Sequence, residues 1–404
     1  MNILKVPEIL LPKKGIDLKK WSVIACDQFT SDKKYWAKLE DYCGDTSTLR
    51  ITYPEIYLND NQDERIKTIN ETMQKYLDNG IFDTYNGFIL TVRKTSYGNT
   101  RIGLIVSFDL EQYEVGKKLA VRATEATVKE RLPVRIKIRE NSPIELPHAL
   151  VLIDDEKKRV IEPLYENRNN LKKLYETELN MDGGSIEGYL VEDTKAVMDI
   201  IEDVTSEDNC CKKYGDKTPF IFAVGDGNHS IATAKACWDK VKANLTDKEK
   251  ETHPARFCLV EINNIYDENL KFEPIHRVVF GADEKFIEKM CGAISGDDTI
   301  TLYYKGKEYS QSVPSNSALA IKEIQAFIDE YIANNATISQ DYVHGKEDAY
   351  AASDELNGVA ILMPKLKKSD LFPFVAQNGT LTRKSFSMGE AKEKRYYFEC
   401  KKIK

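Results

Sequence analysis

The sequence has little of what marks a metal or redox enzyme. Its 404 residues hold five histidines and eight cysteines. There is no CxxC pair and no HExxH, so neither a zinc knuckle nor a zincin helix is expected. No GxSxG elbow announces a serine hydrolase. No dinucleotide fingerprint and no Walker lysine loop is present, which argues against a Rossmann or P-loop nucleotide fold. Structural zinc, haem, flavin and NAD are not expected. The cysteines are too sparse for a disulfide framework, and Cys210-Cys211 are adjacent, which is poor geometry for a bridge. They read as small buried hydrophobes or passive thiols. No apolar run is long enough to span a bilayer. The start, Met1-Asn2-Ile3-Leu4-Lys5-Val6-Pro7, lacks a secretory h-region, so a cytoplasmic address is expected. Positive charge is also short: 58 Lys and Arg face 65 Asp and Glu, a net charge of -7. General nucleic-acid binding is not expected from that balance, nor is a membrane partner.

What is present is an ordinary globular composition, 42% hydrophobic and 30% charged. The length suits one large domain or two ordinary ones. Residues 61–79 put Ile66, Ile69, Met73, Tyr76 and Leu77 on one helical face, closed by Asn79-Gly80. Strands are expected at 87–93 and 101–109 around a hairpin turn, and at 219–224, 256–262, 275–280, 299–304, 358–363 and 395–401. Helices are expected at 163–179, 194–204, 283–291, 317–333 and 346–355, and one begins at His229. Asp182-Gly183-Gly184-Ser185 reads as a turn between two of the helices. The class is α/β (mixed α+β), a mixed sheet with helices. Two lobes are expected, 1–210 carrying Glu125 and 211–404 carrying Asp226, unless the whole is one large domain. The polar stretch Thr205–Asp216 is a joint or a surface loop.

The sharpest chemical feature is Gly225-Asp226-Gly227-Asn228-His229-Ser230. A helix that starts directly after a glycine turn aims unpaired amide hydrogens at an anion, and its dipole adds to the attraction. Gly225 and Gly227 let the backbone approach a ligand. Asp226 suits Mg²⁺ or a hydroxyl, and His229 suits acid, base or phosphate donor. A plain helix cap explains the same letters. The second feature is Arg122-Ala123-Thr124-Glu125-Ala126-Thr127 with Lys129, Arg131 and Arg135. Arg122, Thr127 and Arg131 suit a phosphorylated substrate, and Glu125 suits a base. A charged helix followed by a strand explains it equally. The third is Glu273-Pro274-Ile275-His276-Arg277, at the start of a strand. The fourth is Thr382-Arg383-Lys384-Ser385, two cations and two hydroxyls in one short loop. His229, His253, His276 and His344 are scattered, so a transition-metal centre is not signalled.

These segments bring a resemblance. Lys20–Ser31, with Ala25-Cys26-Asp27-Gln28 at its centre, Phe222–Ser230, Phe272–Val279, Arg383–Ala391 and Lys394-Arg395-Tyr396-Tyr397 match in order. The chain resembles a clostridial-type member of the family known as domain of unknown function 1015. That family's turn is similar to one in the ParB/sulfiredoxin-like superfamily, and a core of that kind is implied. The superfamily includes partition proteins that hydrolyse CTP, an ATP-using peroxiredoxin-repair enzyme and archaeal kinases that phosphorylate free serine with ADP. The resemblance implies a nucleotide phosphate over Gly225–Ser230, with Mg²⁺ on Asp226 and ATP or ADP as donor. It implies Glu125 as base toward a small hydroxylated substrate such as serine, with His229, His276 and Arg383 steadying the transferred group. The chain departs from the pattern at Asn228, where a histidine is expected, and at Ser230, where an arginine is expected. Arg277, Arg383 or Lys384 then has to supply the missing cation. Thr124 likewise replaces a histidine before Glu125. The function implied is a nucleotide-dependent phosphotransferase. The alternatives are a nucleotide-operated regulatory module, or an enzyme that takes a phosphorylated or carboxylated metabolite without nucleotide. Nothing in the sequence indicates the oligomeric state.

Overall fold

The strands owe their places to strict alternation of side chains. In Thr100–Asp109, Leu104, Val106 and Phe108 enter one hydrophobic core and Ile105 enters another. In Phe88–Lys94, Phe88, Leu90 and Val92 join the first core and Ile89 the second. A period of two therefore buries both faces of these strands. The computed structural model describes residues 3–58, 60–127 and 129–404, with Lys129 described in its backbone alone. Its architecture is mixed α/β.

The chain forms two units. The first comprises residues 1–123, 127–270 and 390–404. Its main sheet runs, edge to edge, Lys172–Leu179, Gly184–Val191, Phe88–Lys94, Thr100–Asp109, Phe257–Asn264, Leu150–Ile153, Phe222–Asp226 and Val121–Ala123. Leu4–Lys5 adds a short strand against Ser107 and Phe108. Two neighbouring pairs are parallel, Phe257–Asn264 with Leu150–Ile153 and Phe222–Asp226 with Val121–Ala123; the rest are antiparallel. Helix Gln62–Asp78 buries Ile66, Ile69, Met73 and Tyr76 in the second core, as its spacing predicts. Helix Asn228–Lys242 buries Ile231, Ala234 and Trp238 in the first.

The second unit comprises residues 124–126 and 271–389. Its sheet is antiparallel, in the order Lys307–Val313, Asp298–Tyr304, Gly358–Ile361, Phe272–Phe280 and Ser339–His344. Phe386–Met388 pairs with the first residues of Phe272–Phe280. Thr124–Ala126 joins this unit because Leu381 N–H donates to Thr124 O at 2.7 Å.

Several elements differ from the sequence reading. Residues 163–179 are not one helix. Glu162–Glu166 and Arg168–Asn170 are short helical turns, and Lys172–Leu179 is an edge strand hairpinned to Gly184–Val191. Cross-strand packing overrides helix propensity here, because Gly188 vacates the space that the Tyr175 ring fills. The turn at 182–185 thus joins two strands. Residues 395–401 split into Tyr396–Tyr397, paired with Val23–Ile24, and Lys401–Lys402, paired with Ile144–Glu145. Helix Glu207–Tyr214 occupies most of the stretch read as joint or loop.

The C-terminal segment is fastened by buried charge. The Arg395 guanidinium is ion-paired with Glu261 and Glu399 and donates to Pro147 O at 2.9 Å. All three charged side chains are at most 2% exposed. Tyr175 donates its hydroxyl to Glu399, and Arg101 donates to Glu393 O at 2.8 Å. Gly103 makes the arrangement possible, since a Cβ there would lie 2.3 Å from a Glu261 carboxylate oxygen. Burial raises the Glu261 pKa, but Arg395 and Arg101 more than offset this, and the carboxyl is held below its ordinary value. Removing one partner of such a cluster strands the others without solvent. Arg395→Met is expected to cost about 3–5 kcal/mol in urea unfolding of the full chain. The triple variant with Glu261→Gln and Glu399→Gln should recover part of that loss. A cost near zero for the single variant would mean that the pairing holds nothing in place.

Candidate functional site

The glycine turn is built where a core strand ends and a helix begins. Phe222 and Val224 anchor the strand in the first core, and its register slips between Val224 and Asp226. The slip skips Gly225 and sets Asp226 opposite Leu150 as the last residue of the ladder. Gly227 has φ +81 and is the N-cap of Asn228–Lys242, a position from which glycine offers no side-chain cap. A Cβ at 227 would lie 2.8 Å from Ala149 Cα and 3.1 Å from His148 Cδ2. Glycine is required there by conformation and by space. Asp226 Oδ1 accepts Gly227 N–H at 2.9 Å, and its Oδ2 accepts Lys394 Nζ at 3.0 Å. The Lys394 side chain is 10% exposed and that of Asp226 27%.

Beneath the turn lies a second charged pair. His148 Nε2 is 3.3 Å from Asp27 Oδ2, and His148 Nδ1 is 2.6 Å from the Tyr397 hydroxyl. Gln28 Nε2 donates to Asp27 Oδ1 at 2.8 Å. Tyr397 Oη also receives Cys26 N–H at 3.2 Å and donates to Cys26 Sγ at 3.2 Å. Burial disfavours the imidazolium, but Tyr397 and the Asp27 carboxylate outweigh it and hold the His148 pKa well above the ordinary value. Burial likewise pushes Asp27 up, yet His148, Gln28 and Lys394 hold its carboxyl well below the usual range. Burial raises the Tyr397 hydroxyl, reinforced by Cys26 and only partly opposed by His148. The arrangement is an ionised carboxylate and a covered imidazolium beside a second carboxylate that carries a lysine.

The residues singled out in the sequence fall into three groups. Gly225, Asp226 and Gly227 lead from the strand into helix Asn228–Lys242, which opens with Asn228, His229 and Ser230, all in the first unit. Asn228 Oδ1 is covered from solvent and has no hydrogen-bond partner, and the His229 carbonyl accepts Thr233 Oγ1 at 2.7 Å. Glu125, His276, Arg277, Arg383, Lys384 and Ser385 belong to the second unit. There Glu125 Oε1 accepts Ser385 N–H at 3.1 Å. Arg277 is fully buried, donating to Gln325 Oε1 at 2.7 Å, Ile275 O at 2.6 Å and Arg383 O at 3.4 Å. Burial lowers its pKa to about 10. Arg383 Nε donates to the Tyr342 hydroxyl at 2.8 Å, and His276 Nδ1 accepts Met363 N–H at 3.1 Å. Lys384 is exposed at φ +58. Arg122, Thr127 and Arg131 lie in the first unit. Arg122 is 4% exposed, donates to Leu119 O and Thr218 O, and stacks on Phe220, which is structural work. Thr127 Oγ1 is covered from solvent without a hydrogen-bond partner, and Arg131 is an exposed residue ahead of helix Leu132–Arg139. The Lys129 side chain lies outside the described residues.

The cation at the turn is Lys394, which the motif search did not single out; nor did it single out Asp27, His148 or Tyr397. Asp27, Lys394 and Tyr397 lie in segments that carried the family resemblance, which was the signal available for them. His148 follows Pro147 with no motif around it. A groove of about 630 Å³ elsewhere in the first unit, lined by Asn70, Gln74, Asp78, Asn141, Lys402 and Lys404, includes none of these groups.

The pair at Asp27 has a definite pH signature. A raised histidine adds stability in full below about pH 6.5 and loses it as pH rises through its folded pKa. A depressed carboxyl adds stability above about pH 3.9 and loses it as pH falls through its folded pKa. Ring-nitrogen NMR at pH 7 should show His148 as imidazolium. His253 and His276, both lowered first of all by burial, should be neutral. A neutral His148 ring at pH 7 would break the pairing described here.

Comparison with known proteins places the chain. Among solved structures it is similar to a conserved hypothetical protein from Pyrococcus furiosus, with 14% identity and TM-score 0.35, covering 73% of this chain and 90% of that one. It is similar to a free serine kinase solved with AMP, with 12% identity and TM-score 0.37, covering 74% and 91%. It is also similar to SbnI with a C-terminal truncation, from Staphylococcus aureus, with 10% identity and TM-score 0.35, covering 73% and 82%. No curated protein matches the sequence. The model of the family "Protein of unknown function (DUF1015)" matches residues 10–331, more than half of the chain, and the chain belongs to that family.

Proposed function

We propose that this protein is a nucleotide-dependent phosphotransferase acting on a small hydroxylated metabolite, with the nucleotide's phosphates taken at the start of helix Asn228–Lys242. The observation that carries the reading is a fifteen-residue helix whose N-cap is Gly227, which has no side chain to cap it, beside the Lys394–Asp226 pair. Helix amides and a lysine together make an anion cradle, and a phosphate offers Lys394 a stronger partner than one carboxylate. The ParB/sulfiredoxin-like resemblance of the turn belongs to the same proposal, as does the choice of ATP or ADP.

Transfer of a phosphoryl group asks mainly for positioning and charge. Lys394 would swing from Asp226 to the phosphates and neutralise charge there. Asp27, kept ionised by His148, accepts the hydrogen bond of the substrate hydroxyl and orients its oxygen. In this reading Asp27 takes the role that the sequence assigns to Glu125, whose carboxylate already holds Ser385 N–H. Among the described residues, no three His, Cys, Asp or Glu side chains gather as a metal ligand set. A lone carboxylate fits Mg²⁺ that arrives with a nucleotide, which keeps most of its ligands as phosphate oxygens and water. Asp226 would hold it, and the ion would supply charge neutralisation.

Two sets of variants test this. Lys394→Met should weaken ADP and ATP binding about 10–100-fold by calorimetry, with or without Mg²⁺, as loss of a charge-assisted bond of about 1.5–3 kcal/mol implies. Asp226→Asn should remove only the Mg²⁺-dependent part. Absence of nucleotide binding by the unaltered protein would sink the reading and leave a phosphorylated or carboxylated metabolite as the anion. For the chemical step, Asp27→Asn should cut transfer to a hydroxylated acceptor about 10²–10⁴-fold with nucleotide affinity little changed. If Glu125→Gln carries that loss while Asp27→Asn does not, the base is Glu125.

A further inference from the structure

Asp226 occupies two donors beside the start of helix Asn228–Lys242 with a carboxylate of the chain's own. Its Oδ1 takes Gly227 N–H at 2.9 Å, and its Oδ2 takes the Lys394 ammonium at 3.0 Å. The cation is the more deeply covered partner, 10% exposed against 27%. Main-chain carbonyls on both sides of Lys394 are held in place. Arg93 donates to Lys392 O at 3.2 Å, Arg101 to Glu393 O at 2.8 Å, and Ala25 N–H to Arg395 O at 2.8 Å. A change of partner is therefore left to the lysine side chain, which turns on a fixed root.

Charge decides what parts this pair. A polyphosphate brings several acceptor oxygens and more than one charge, so it outcompetes a single carboxylate for the ammonium. Asp226 is then an uncompensated carboxylate next to an anion, and a divalent cation is the group that relieves it. The converse also holds. While Lys394 sits on Asp226, the oxygen that would face a metal ion faces an ammonium. Each ligand alone has to part the pair, whereas two together part it once. That is positive coupling between them, and it is reciprocal.

We propose that the Lys394–Asp226 pair is an autoinhibitory lock that makes phosphate and Mg²⁺ binding mutually dependent. The identity of the two ligands rests on the proposed function; the closed state of the pair does not. The lock selects a polyphosphate accompanied by a divalent cation over either one alone. Parting one charge-assisted bond sets the coupling at about 10–100-fold in affinity.

The test separates the lock from its ligands. Lysines of the ligand-free full chain are acetylated with a limiting succinimidyl ester, and each peptide is followed over time by mass spectrometry. Lys394 should be slow in native protein and about tenfold faster in Asp226→Asn. Lys401, 5% exposed and paired with Glu145, should stay slow in both, which shows that the variant is folded. A Lys394 rate unmoved by Asp226→Asn overturns the lock. Calorimetry with ADP, and separately with inorganic pyrophosphate, then reads the coupling. Without Mg²⁺, Asp226→Asn should bind each about tenfold more tightly than native protein, since no carboxylate competes for Lys394. Adding Mg²⁺ should tighten native binding about 10–100-fold and leave the variant nearly unchanged. The complex that these anions form with Mg²⁺ in solution is common to both proteins, so the difference belongs to the pair. A variant no tighter than native without Mg²⁺, or one that gains as much from Mg²⁺, overturns the coupling. Coupled binding of pyrophosphate without binding of ADP keeps the lock and refutes the nucleotide reading. Binding of neither refutes the anion site and the coupling together, while the acetylation rates still decide whether the pair is closed.

Discussion

The first unit hangs on one buried cation. Arg395 sits between Glu261 on a central strand and Glu399 four residues along its own segment, with almost no solvent contact. Buried pairs of this kind contribute little net stability compared with apolar packing, but they are expensive to break and exacting in geometry. They specify where a segment lies. Here the segment is the last part of the chain, and the neighbours of Arg395 are the residues that matter. Lys394 precedes it and reaches Asp226, and Tyr397 follows two residues later and reaches His148. Misplacing Arg395 would remove the lysine from the turn and the hydroxyl from the histidine together.

The charges gathered at the turn balance. Asp27 and Asp226 are opposed by His148 and Lys394, and the carboxylates are more exposed than the cations: 28% and 27% against 13% and 10%. A neutral, internally paired cluster is stable without ligand, and its lysine can exchange a carboxylate for a phosphate without leaving a bare buried charge. The imidazolium has no such freedom. Tyr397 and Asp27 occupy both of its nitrogens, so it acts by holding Asp27 ionised and in place. In the proposed reading, two cations of similar charge thus have different duties, one mobile and one fixed.

Much of the fold was legible because period and length fix an element locally. Gln62–Asp78 and Ser317–Ala333 follow from helical spacing of apolar side chains, and Phe257–Asn264 from its apolar run. The failures were non-local. Lys172–Leu179 has the letters of a helix but becomes a strand because Gly188 on its partner admits the Tyr175 ring. Residues 395–401 read as one strand but divide between two partners, Val23–Ile24 and Ile144–Glu145, far apart in sequence. The site shows the same division. The Gly225–Ser230 turn is contiguous and could be read directly. Its partners Asp27, His148, Lys394 and Tyr397 come from three separate stretches of chain, and only folding makes them neighbours. Arg122, two residues before Thr124 in sequence, donates to Leu119 O and Thr218 O and lies over the Phe220 ring, contacts that no local pattern announces.

The departures at Asn228 and Ser230 acquire a physical meaning once Lys394 is in place. An arginine on the first turn of the helix would share the helix's own mobility and be drawn to any nearby carboxylate. A lysine on the C-terminal segment is anchored by its neighbour Arg395, so its root is rigid while its four-carbon stem remains free to change partner. Covering that stem, so that its side chain is 10% exposed, leaves the ammonium few alternatives to Asp226 or an incoming anion. In the proposed reading, a turn that lacks its own cation is then no weaker as an anion site. It has moved the charge to a part of the chain whose position is fixed by buried ion pairs, and the fidelity of the site becomes a property of the fold around Arg395 rather than of the turn itself.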